Sequence, residues 1–138
     1  MGISSKTIMK NVWFPAYVLL LVLLAGCGGK PREENTSERE LRNAISEIIT
    51  FVEVKDYDGL FEKYAAPKDL ERMKSTGRLD KAIGRFSLWS KEMLIALKET
   101  QAIEPSFNSD STRATFHVEH SPSDLVFRKI NGRWYFAN

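Results

Sequence analysis

The chain carries one cysteine, Cys27, and two histidines, His117 and His120. There is no Cys/His pair for nucleophilic catalysis, no G-x-S-x-G turn and no Gly-rich phosphate loop. His117 and His120 stand three apart in an alternating segment, so they point to opposite faces and cannot grip one metal together. Glu119 shares a face with His117, but two ligands on an exposed sheet surface are too few for zinc. No metal and no cofactor is expected. A thiol open to alkylation is the one reactive group whose neighbours carry information.

Those neighbours form an address. Lys6 and Lys10 make a positive start with no acidic residue before Glu33. An apolar run from Val12 to Ala25 follows, broken only by Pro15. Its 14 residues fall short of the roughly 20 that a helix needs to cross a bilayer. Length, charge and the small residues that close the run are those of a secretory signal. Leu24, Ala25, Gly26 and Cys27 resemble the lipobox of bacterial lipoproteins. The resemblance implies cleavage after residue 26 and a lipidated Cys27 as first residue of the mature chain, a palmitate-type anchor to the cell envelope. Two or three acyl chains hold a membrane where one does not. Gly28 follows the cysteine, where an Asp would retain some Gram-negative lipoproteins at the inner membrane. The implied location in such a cell is therefore the periplasmic face of the outer membrane.

Size and charge bound the rest. Residues 27–138 are enough for one domain with a modest core. Of 20 Lys and Arg in the chain, Lys6 and Lys10 leave with the signal, so 18 cations face 18 carboxylates. A balanced chain with no basic block has no electrostatic footprint for nucleic acid. Residues 27–36 are polar, contain Gly and Pro, and read as a flexible tether. The domain is expected over 37–138.

The first helix is expected near Ser37, with Glu40 three residues on completing a capping box. Leu41, Ala44, Ile45, Ile48, Ile49 and Val52 then recur at helical steps. Asp56 suits the cap of a second helix burying Leu60, Phe61 and Tyr64, and Pro67 opens a short third. The longest helix runs from Leu79 to about Glu99, with Leu79, Ile83, Phe86, Trp89 (or Ser90), Met93 and Leu97 along one stripe. After Gln101 the period changes to two. Strands are expected at 103–107, 113–119, 125–130 and 133–137. Asn131-Gly132 is a strong type I′ hairpin signal. It pairs Phe127 with Phe136 and Lys129 with Trp134. A four-residue loop at 121–124 would pair Val118 with Phe127. Both loops place Phe116, Val118, Leu125, Phe127, Trp134 and Phe136 on one face. The fold class is α+β: three to four N-terminal helices packed on one face of a curved antiparallel sheet of three to four strands.

Helices followed by a meander that ends in Gly132-Arg133-Trp134-Tyr135-Phe136 resemble the nuclear-transport-factor-2-like superfamily, and most of all its small lipoproteins of unknown function. The resemblance covers about residues 37 to 138. It implies a cone of helices over a curved sheet, with an apolar cavity at the wide end. Enzymatic relatives, isomerase-like and dehydratase-like, use an inward carboxylate or histidine, often with a tyrosine donor. Here the inward set holds no acid and no histidine; Lys129 is its only charge. The link Ser75-Thr76-Gly77 is also too short for the hairpin that larger members carry there. The expectation is a non-catalytic binding or scaffold module, with a small apolar-ligand cone as the alternative. Tyr64, Phe86, Trp89, Phe127 and Trp134 are the candidate pocket residues. His117, Glu119, Arg128 and Tyr135 lie on the outer sheet face, the candidate surface for a homodimer or an envelope partner.

The anchor has a direct test. Protein extracted from native membranes is expected to have the intact mass of residues 27–138 plus acyl chains, and Cys27→Ala to lose the lipid and the membrane association. Full-length mass without lipid would mean an uncleaved helix instead.

Overall fold

The structure, a computed structural model, describes residues 35–137. Leu24, Ala25, Gly26 and Cys27 lie outside the described residues. Helix α1 spans Thr36–Glu53 and is capped by Asn35, whose Oδ1 accepts from Ser37 N at 3.1 Å. The expected Ser37/Glu40 box does not form, because a distant cation claims both side chains. Lys129 Nζ lies 2.7 Å from Glu40 Oε2 and 3.3 Å from Ser37 Oγ. Leu41, Ile45, Ile48, Ile49 and Val52 form the buried stripe of α1.

Helix α2 spans Tyr57–Tyr64, and its cap Asp56 accepts from Gly59 N at 3.0 Å. A Cβ on Gly59 would fall 2.5 Å from Asp56 Oδ2 and 2.8 Å from the Phe51 ring, so the cap and the packed ring together require glycine. Helix α3, Pro67–Ser75, begins with its proline and buries none of its residues. Helix α4 spans Leu79–Glu99 and runs into a 3₁₀ turn at Thr100–Ala102.

Four antiparallel strands follow in the order β1-β2-β3-β4: Ser106–Phe107, Arg113–Phe116, Leu125–Ile130 and Arg133–Phe136. Strand β1 is shorter than expected and starts just after Pro105, which has no N–H for the ladder. The β3–β4 hairpin has the expected register, Phe127 opposite Phe136 and Lys129 opposite Trp134. Asn131 and Gly132 both take positive φ, 49° and 78°, as a type I′ turn demands.

The β2–β3 register is shifted from the expected one. Strand β2 stops at Phe116, and Ala114, not Val118, faces Phe127. The reason is a competing acceptor. Glu99, at the end of α4, takes Glu119 N at 2.7 Å and His120 N at 3.4 Å, so these amides are withdrawn from any ladder. The loop grows to residues 117–124. The slip is four residues, an even number, so every side chain keeps its face.

One core results. Ala114, Phe116, Leu125, Phe127 and Trp134 of the inner sheet face pack with the stripe of α1, with Leu60 and Tyr64 of α2, and with Ala96 and Leu97 of α4. The domain is α+β, with helices first and an open antiparallel sheet after them. Its stability should follow this map. Phe127, 0% exposed, is expected to cost about 3–5 kcal/mol on truncation to alanine. Trp89, 65% exposed, should change stability by no more than about 0.5 kcal/mol. Urea unfolding of the two variants beside wild type measures both.

Candidate functional site

Helix α3 buries nothing, yet it stands beside α4 and closes one side of a cavity of about 410 Å³. The chain reaches it through local rules: Pro67 begins α3 immediately after α2, and Ala65 bridges to Phe136 at the end of β4. Both Ala65 and Phe136 line the cavity. The lining is mainly apolar, with Phe61, Met73, Phe86, Met93 and Leu97 supplying much of it. Phe86 is held edge-on by two rings, Tyr57 at 5.5 Å and Phe61 at 5.8 Å. Two methionines give this wall a flexible, polarisable surface.

Polar groups are few and committed. Asp69 and Arg72 line the cavity, bond to one another at 2.7 Å, and have largely exposed side chains. Tyr64 lines it from α2, and its hydroxyl donates to Glu47 of α1, which also pairs with Lys63. Burial, and then the bond to Glu47, push the Tyr64 phenol well above its ordinary range. Hydrogen bonds from Lys63 and then Tyr64 hold the Glu47 carboxyl below its ordinary value.

Of the pocket candidates read from sequence, Tyr64 and Phe86 line this cavity. Trp89, Phe127 and Trp134 do not. Phe127 and Trp134 are filled core beneath the helices, Phe127 ring-packed against Phe116 at 5.9 Å and Phe136 at 5.4 Å. Trp89 is exposed, and Ser90 takes the buried place in the stripe. A residue four beyond Phe86 returns to within 40° of its direction, whereas one three beyond falls 60° short. Asp69, Arg72, Met73 and Ala82 also line the cavity, and no local pattern in the sequence marks them as its lining. The signal available for α3 was Leu70 and Met73, one turn apart in an otherwise polar segment.

The outer-face candidates are dispersed. His117 and Glu119 sit in the 117–124 loop rather than in a strand, and both are exposed. His117 Nδ1 is 2.8 Å from Asp124 Oδ1, and His120 Nδ1 is 2.9 Å from Glu99 Oε2. The backbone N–H of Glu119, then the His120 ring, lower the Glu99 carboxyl from its usual value. Arg128 is exposed, opposite Tyr135. Tyr135 is only 9% exposed, against the outward place its parity gives it. The Arg133 guanidinium lies 5.6 Å from its ring centroid. No protein-family model, curated protein or solved structure matches this chain.

The Tyr64–Glu47 contact predicts a two-sided pH dependence. Glu47 has a lowered pKa in the fold, so its contribution is present above the unfolded carboxylate value and lost as pH falls through the folded one. Tyr64 has a raised pKa, so its contribution is present below pH of about 10 and lost as pH rises beyond it. Thermal unfolding across pH is expected to show Glu47→Gln flattening the acid side and Tyr64→Phe flattening the alkaline side.

Proposed function

We propose that the mature chain is a lipid-anchored module of the bacterial envelope that binds a small apolar ligand without transforming it. The observation that carries the reading is the cavity: about 410 Å³ of mainly apolar wall, aliphatic, aromatic and thioether, with the Asp69–Arg72 ion pair at its exposed edge. Such volumes suit ligands of small-molecule size. The lipobox-like Leu24–Cys27 segment supports the membrane address, and the order of helices before a meander is the order a nuclear-transport-factor-2-like cone requires.

The polar groups favour holding over reacting. An isomerase-like or dehydratase-like step needs an acid or base aimed at the ligand with a pKa near the working pH. Asp69 is the carboxylate that lines the cavity, and Arg72 neutralises it at 2.7 Å. The Tyr64 hydroxyl already donates to Glu47 and is a weaker acid than a free phenol. What remains is an apolar slot with an ion pair at its edge.

N-phenyl-1-naphthylamine, a neutral probe that brightens in apolar surroundings, is expected to bind saturably to the full chain. Ala82→Phe places a ring into the cavity wall and should weaken binding about tenfold, which corresponds to about 1.4 kcal/mol of lost contact. Trp89→Ala, outside the cavity, should leave it unchanged. Absence of saturable brightening, or equal affinity in Ala82→Phe, would overturn the reading.

A further inference from the structure

Helix α4 has a second apolar face, turned away from the core. Leu88 is 78% exposed, Trp89 65% and Ile95 52%. Leu88 and Ile95 stand seven residues apart, two turns along one side of the helix, with Trp89 at the flank. Lys81, Arg85 and Lys91 surround them, with Asp80 and Glu92 as the acidic residues of this exposed side. None of these five makes an ion pair among the described residues. Gly84 lies on the same side, and a Cβ there would meet nothing within 4 Å, so no neighbour inside the domain explains it. Leu, Ile and Trp stand here among three cations and two carboxylates, with Glu92 beside the Leu88–Ile95 stripe. The surplus of positive charge together with the exposed apolar residues suits a helix lying in a bilayer interface. The tryptophan and the long basic stems sit at headgroup depth.

The connection to Cys27 puts this face within reach of such a surface. Arg42 of α1 donates to the carbonyls of Thr100 at 3.3 Å and Ile103 at 3.1 Å, so the start of α1 and the end of α4 lie together. Thr36 is about 9 Å from Arg42 along α1, and Trp89 about 17 Å from Thr100 along α4, at 1.5 Å per residue. The chain from Cys27 to Asn35 can extend to roughly 30 Å. A lipid on Cys27 therefore allows Leu88, Trp89 and Ile95 to meet the membrane that holds it.

We propose that the outer face of α4 lies on an anionic bilayer and orients the domain there. This rests on the lipid anchor of the preceding section. The cations supply the attraction to anionic headgroups, and the three apolar side chains supply burial. Phe86, Met93 and Leu97 line the cavity from the side of α4 opposite Leu88 and Ile95, while Ala82 and Trp89, seven residues apart, share the flank between, so the cavity opens away from the Leu88–Ile95 contact.

The test uses the full lipidated chain in vesicles of three parts phosphatidylglycerol to seven of phosphatidylcholine, with acyl chains brominated near the headgroup. The difference in emission between wild type and Trp89→Phe isolates the Trp89 ring. That difference is expected to fall at least twofold with brominated lipid, and to be restored in Leu88→Glu/Ile95→Glu. Flotation of the same samples separates the two claims. Protein that floats with vesicles while Trp89 remains equally open to aqueous iodide would overturn the bilayer contact and leave the anchor standing. Protein that fails to float would remove the anchor and this inference with it. Protection of Trp89 in detergent, with a dimeric mass and no vesicles, would assign the face to a second copy and overturn the proposal as well.

Discussion

The fold depends on the two-residue period of its sheet. Phe127 is the centre of that constraint: it faces Ala114 on one side and Phe136 on the other, and its ring meets Phe116 edge-on. Every inward position is fixed once this ring points at the helices. A one-residue slip of β2 would send Ala114 and Phe116 into water together. A slip of four costs none of that burial. The shift is therefore open to decision by a weaker interaction, the carboxylate of Glu99.

Glu99 does that work from the end of α4. Hydrogen bonds to a charged acceptor are worth more than neutral ones, and this carboxylate collects two amides and an imidazole. It ties the helical half to the 117–124 loop and shortens β2. Lys129 acts similarly at the other end of the sheet. It occupies an inward position beside Trp134, with its ammonium 5.8 Å from that ring and paired with Glu40 at the start of α1. An inward charge is tolerated there because it lies at the margin and has a partner. These two contacts, far apart in sequence, set where helices and sheet meet.

The cavity is a consequence of the same arrangement. The core is filled by α1, the sheet, and parts of α2 and α4. Helix α3 has too little apolar surface to join it, and stands off as a wall. Between that wall and Phe86 lies space the side chains do not fill. A helix that buries nothing contributes little to the core; what it supplies is a wall of the slot, through Asp69, Arg72 and Met73.

Much of the domain was legible in local pattern. The capped start of α2, the stripe of α1, the Asn131-Gly132 turn and the inward parity of Phe116, Leu125, Phe127 and Trp134 all follow from rules that act within a few residues. Tertiary structure decided what depends on partners distant along the chain. Glu40 left its capping box for Lys129, 89 residues away. Glu99 moved the end of β2 by drawing off two amides. Trp89 faced outward because the helix phase, fixed by packing at Phe86 and Leu97, gave the buried place to Ser90. The cavity was least legible of all, because empty space belongs to no residue and appears only where several elements fail to meet.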